Sequence, residues 1–256
     1  MSGSGVARLF RTLGVAALAG LAAGVIAGGA GGRIVMKLVA LVAGPAMVGV
    51  TTANGNRVGD LTLDGTLEIV LFSGVFTGLL GGACYLALRP WLVRLGRWRG
   101  VAFGIVLLAI FGHFVVEPQN FDFRRFGLAP LNVAFFAALF IVFGVLLAAF
   151  YERLDRLVPT AGPYRGGRRG LVVLVWLASI PMILFLVLGF GATIATIVGV
   201  NREGSLGLSL SIFGTLIFAG IAYRLRATPA AAYALLAVPV LGGAFVTLGG
   251  IVAVLR

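Results

Sequence analysis

The chain has 256 residues, 60% of them hydrophobic and 11% charged, and its 20 Lys and Arg outnumber 8 Asp and Glu to give a net charge of +12. A soluble domain carries about 45–50% apolar and about 25% charged residues, so this composition excludes an ordinary soluble globule and points to a single integral membrane domain spanning residues 1–256. The cations form short clusters between apolar runs, and no basic stretch lies in a foldable soluble segment, which argues against nucleic acid as a partner.

A bilayer core about 30 Å thick takes about 20 helical residues to cross. The apolar runs predict an all-α polytopic bundle of seven spans, at about residues 12–32, 66–88, 100–117, 131–151, 170–200, 207–223 and 229–255. The opening "MSGSGVARLFR" has the charge of a signal peptide, but the run behind it is long and lacks a convincing cleavage site. It reads as an uncleaved first transmembrane helix. Beyond it, "RIVMKLVALVAG" (33–44) reads as a helical extension or a partly embedded, re-entrant or interfacial segment. Next, "VTTANGNRVGDLTLDG" (50–65) carries alternating β-branched residues around Asn-Gly and predicts a small extracytoplasmic hairpin or a structured loop.

Loop charge sets the orientation. With the N-terminus in the cytoplasm, the inner segments hold Arg8, Arg11, Arg89, Arg94, Arg97 and Arg99, then Arg153, Arg156, Arg165, Arg168, Arg169, Arg224 and Arg226. That distribution satisfies the positive-inside rule and leaves the C-terminus outside. Tyr85, Tyr151, Tyr164, Tyr223, Tyr233, Trp91, Trp98 and Trp176 fall at or near the same inner surface, where interfacial aromatics are enriched. The inner arginine clusters predict contact with anionic lipids of a cell inner or plasma membrane. Arginine outnumbers lysine nineteen to one, a usage associated with GC-rich bacterial genomes.

Small residues recur every four positions at Gly20, Gly24, Gly28 and Gly32, at Gly74, Gly78 and Gly82, at Gly100 and Gly104, and at Gly191, Ala195 and Gly199. Each series lies on one helix face and lets another backbone approach closely. Packing inside one bundle is the favoured use; an oligomer or partner interface is the alternative.

The ionisable residues of the first four spans gather at their outer rim. Arg33 and Lys37 are four apart, as are Asp64 and Glu68, so each pair occupies one helix face. Antiparallel spans would set Arg33 against Glu68 and Lys37 against Asp64. His113 and Glu117 form a third pair, beside Asp122, Arg124 and Arg125 in "EPQNFDFRRFG" (117–127). Arg33, Lys37, Asp64, Glu68, His113, Glu117, Asp122 and Arg124 together make a candidate ligand-binding rim. A zinc site needs three or four protein ligands, and with one His and one Cys, Cys84, no metal or cofactor is expected. Schiff-base lysine, bis-histidine haem, HExxH, Walker A and Rossmann signatures are also missing.

The leading functional reading is a non-enzymatic membrane protein that binds or passes a small solute or lipid headgroup at this outward-facing polar site between spans one to four. An intramembrane enzyme with His113 as general base and Glu117 orienting it is one alternative. A structural or assembly subunit that packs through its glycine faces is the other.

Overall fold

The structure is a computed structural model that describes residues 3–51, 63–116, 122–158, 169–198, 206–224 and 228–256. The described residues are helical apart from short connections, the expected result where backbone groups in hydrocarbon must bond within their own segment. Five helical stretches are long and apolar enough to cross a membrane: Gly5–Ala43, Gly65–Phe114, Ala129–Leu157, Arg169–Ala195 and Ala230–Leu255. By that measure the chain is a membrane protein.

Helix α1 (Gly3–Gly24) continues through a π-helical segment, Val25–Gly31, into α2 (Gly32–Ala43). Residues 33–43 are therefore a helical extension of the first run, and neither Arg33 nor Lys37 interrupts it. The helix stops at Gly44, whose φ of 87° lies in the region that favours glycine, and Pro45–Met47 forms a 3-10 turn behind it. Most of the expected hairpin at 50–65 lies outside the described residues, as does the side chain of Asp64.

Helix α3 (Leu63–Ile69), a second π-helical segment (Val70–Phe76) and α4 (Thr77–Leu92) form the next long helix. A 3-10 stretch, Val93–Trp98, follows and leads into α5 (Arg99–Phe111). An unbroken helix of 50 residues would be about 75 Å long, more than twice the hydrocarbon thickness. The chain breaks at Gly96, where φ 55° and ψ −122° leave the helical region. The short α6 (Asp122–Arg125) precedes α7 (Ala129–Leu157), which begins with Pro130 in its first turn. Helices α8 (Arg169–Ile197), α9 (Leu206–Arg224) and α10 (Pro229–Leu255) complete the order, α10 capped by Thr228, whose Oγ1 accepts from the amide of Ala231.

The glycine series is a seam inside the bundle. A Cβ placed on Gly20 would overlap the carbonyl oxygen of Gly78; on Gly24, that of Gly74; on Gly28, that of Ser73. The two π-helical segments pack against each other along this seam. A second seam joins α5 to α7, where a Cβ on Gly144 would lie 2.5 Å from both Gly100 O and Gly104 N. Gly191, by contrast, faces open space. Val15, Ala16, Tyr85, Phe103, Leu147 and Met182 are fully buried at the centre. The outer faces of α8 and α10 expose Val187, Leu188, Leu241 and Phe245, as helices facing lipid do. Two buried hydroxyls of α8 close on their own helix: Ser179 donates to Trp176 O at 2.6 Å, and Thr193 to Gly189 O at 2.8 Å.

Contacts across the bundle place the start of α1, the end of α4 and the starts of α8 and α10 at one end. Phe10 stacks on Trp176 at 5.8 Å, and the Tyr233 hydroxyl donates to Trp91 O at 3.3 Å. Among the aromatics expected at an interface, Trp98 and Tyr223 are exposed, but Tyr85 and Tyr151 are only 0% and 2% exposed. Both lie within the bundle, beside a cluster of charges.

Candidate functional site

That cluster is built on the end of α7. The last carbonyls of a helix have no intrahelical partner, and here Arg11 of α1 supplies one. Its Nε donates to Val158 O at 2.7 Å, and one Nη donates to Asp155 O at 2.7 Å and also to Val158 O. The other Nη meets the Asp155 carboxylate at 2.8 Å. A guanidinium at a helix C-terminus also complements the partial negative charge of the helix dipole. Arg11 is 9% exposed, so these bonds form largely away from water.

Arg89, near the end of α4, reaches the same carboxylates from another side. Its Nη2 lies 3.2 Å from Asp155 and its Nε 3.4 Å from Glu152, while Arg99 at the start of α5 reaches the same Glu152 oxygen at 3.4 Å. Glu152 and Asp155 are three apart on α7 and so share a face. Three arginines from three helices thus converge on two carboxylates from a fourth, leaving one positive charge in excess. The Arg89 guanidinium also lies over the Tyr151 ring at 4.9 Å, a cation–π arrangement. Tyr151 packs on Tyr85 at 5.3 Å, and Tyr85 on Phe103 at 5.1 Å. The Tyr85 hydroxyl is buried with no hydrogen-bond partner among the described residues.

Beside this network lies a cavity of about 710 Å³. Arg11, Arg89, Tyr151 and Asp155 form its polar wall, and Thr12, Leu86, Pro90 and Val93 form the rest. Its volume falls in the range of small-molecule sites, and polar and apolar groups share its wall about equally.

The described residues among those singled out from the sequence lie at the other end, Arg33 being about 33 Å from Arg11 along the helix. Arg33 donates from Nη2 to the Thr66 hydroxyl at 3.0 Å, on the segment that carries Glu68. Lys37 follows one turn later on α2. The backbone amide of His113 donates to the Thr247 hydroxyl at 3.1 Å, Thr247 donates to Ala109 O at 3.0 Å, and the His113 ring lies 3.7 Å from that of Phe114. Glu117 lies outside the described residues. Asp122 opens α6, which is tied to the start of α7 by Asn132, whose Nδ2 donates to Phe123 O at 3.1 Å and Phe126 O at 2.6 Å. Among the described residues no group of three or more His, Cys, Asp or Glu could hold a metal ion.

Arg124 caps α10 much as Arg11 caps α7, donating to Val254 O at 3.2 Å and to Ala253 O. Replacing Arg124 by alanine is expected to loosen the last turn of α10 by about 1 kcal/mol. Faster amide hydrogen exchange confined to residues 251–255 checks this; unchanged exchange there refutes the cap.

No family model matches the chain, and no curated protein or solved structure resembles it significantly. What the site does must be argued from its own chemistry.

The Arg11 site is hidden in the sequence because Arg11, Arg89 and Arg99 stand at the ends of apolar runs, where loop charges that only set orientation also occur. One signal was present. Glu152 and Asp155 are two of only eight acidic residues, and they sit at helical spacing beside Arg153 and Arg156 in an arginine-rich segment.

Proposed function

We propose that the chain is a seven-span protein of the cytoplasmic membrane, with its N-terminus inside, that binds or passes an anionic small solute or lipid headgroup in the cavity between α1, α4 and α7. The carrying observation is that cavity, about 710 Å³ with Arg11 and Arg89 in its wall. The break at Gly96 supports reading the long apolar stretch Gly65–Phe114 as two crossings, and the 19-residue apolar helix α9 supports a further one. The Arg11 end carries Arg8, Arg94, Arg97, Arg153, Arg156 and Arg169 as well, which supports its assignment to the cytoplasm. An anion there gains from a positive excess held by low-dielectric walls.

A second reading keeps the ligand at the outward rim, where the Arg33 Nε is buried with no hydrogen-bond partner among the described residues. The two readings separate by thermal stabilisation of the purified protein, measured with a panel of anionic lipids and small anions. Arg89→Gln is expected to weaken ligand stabilisation about tenfold or more, the loss of one charge-assisted contact, while Arg33→Gln leaves it unchanged. The reverse pattern moves the site to the rim, and no stabilisation by any anion refutes both.

A further inference from the structure

We infer that the cavity at Arg11 and Arg89 takes a phosphate group carried by a membrane amphiphile. This rests on the reading of that cavity as a binding site and adds the class of ligand.

The donor inventory comes first. A guanidinium carries five N–H donors. Arg11 commits four of them, to Val158 O twice, Asp155 O and the Asp155 carboxylate. Arg89 commits two, to Glu152 and Asp155. Among the described residues three donors on Arg89 and one on Arg11 are therefore uncommitted, on cations already held in place by their carboxylate partners. Thr12 adds none, because its hydroxyl donates to Arg8 O at 2.8 Å. Several fixed guanidinium donors suit an anion with more acceptor oxygens than a carboxylate, and phosphate is the common one.

Preorganisation and charge point the same way. Asp155 holds both arginines, Tyr151 lies beneath Arg89, and Arg99 neutralises part of Glu152. Little side-chain freedom is left for a ligand to remove, and the excess positive charge remains for it to neutralise. The rest of the wall decides between sources. Leu86, Pro90 and Val93 offer apolar surface from which a free inorganic anion gains nothing and a glycerol or acyl segment gains by burial. Val93 is 43% exposed, so this wall continues to the protein surface.

The test uses the full chain in micelles of a phosphate-free maltoside detergent, probed with phosphatidic acid, oleic acid and inorganic phosphate. Retained lipid is read by native mass spectrometry and stability by thermal midpoint. Phosphatidic acid is expected to be retained about tenfold more strongly than oleic acid, the advantage of added charge-assisted bonds, and inorganic phosphate is expected not to stabilise. Val93→Trp fills the apolar side of the cavity without touching an ion pair. It should abolish retention while leaving the midpoint of the unliganded protein unchanged. Should that variant not fold, Arg89→Lys keeps the charge, removes the planar fork and should erase the preference for phosphate over carboxylate.

Equal retention of oleic acid that Val93→Trp abolishes overturns the phosphate assignment and leaves the cavity as a binding site. Equal stabilisation by inorganic phosphate overturns the lipid source. Retention undiminished in both variants places the lipid elsewhere and overturns the binding-site reading as well.

Discussion

Arg11→Met is expected to destabilise the protein by about 3 kcal/mol, the lower part of the range for breaking a buried ion pair from one side. Methionine preserves the apolar length of the side chain, so the loss reports on the guanidinium. Two effects add. The carbonyls of Asp155 and Val158 lose their donor at the end of α7, and the Asp155 carboxylate loses its shortest partner, at 2.8 Å. Asp155 keeps Arg89 at 3.2 Å, which is why the upper part of the range is not expected. Denaturant unfolding in detergent micelles measures the change. A double-mutant cycle with Asp155→Asn isolates the coupling, expected at about 1–3 kcal/mol. Additive single effects would show that Arg11 acts on the helix end and not through the carboxylate.

A larger loss is expected from Gly24→Leu. Its first side-chain carbon alone would overlap the carbonyl oxygen of Gly74, a backbone atom that cannot rotate away. Relief requires the α1 and α4 helices to separate along a seam that also includes the Gly20–Gly78 and Gly28–Ser73 contacts. The expected cost exceeds about 4 kcal/mol, in the range reserved for severe core disruption, so little folded protein should be recovered. Gly191→Leu is the control, since its Cβ would meet nothing within 4 Å. Its stability should match or slightly exceed that of the parent, because leucine has the higher helix propensity. If Gly24→Leu instead folds normally and changes only oligomeric state, the glycine face serves assembly.

How far the sequence could be read depended on the range of the interaction. For residues 33–44 the sequence left a helical extension and an embedded or interfacial segment both open, because two cations at a rim fit either, and the structure shows the extension. The glycine series was legible as a set of close-packing faces, but which face met which was not. Gly20 to Gly28 find Gly78, Gly74 and Ser73, whereas Gly191 finds no neighbour. Tyr85 and Tyr151 show the same limit. Their positions along the spans suit an interface, and only the packing of α4, α5 and α7 puts both inside.

By itself the sequence determined a helical membrane chain, because the bilayer imposes one length and one hydrogen-bonding rule on every crossing segment. It also determined that positive charge collects between particular spans. Tertiary structure alone decided which of those charges are used. Arg89 meets Glu152 across 63 residues, and Arg11 reaches Val158 across 147. Contacts at such separations leave no trace in local periodicity; they exist because close-packed glycine seams bring the ends of α1, α4, α5 and α7 to one place.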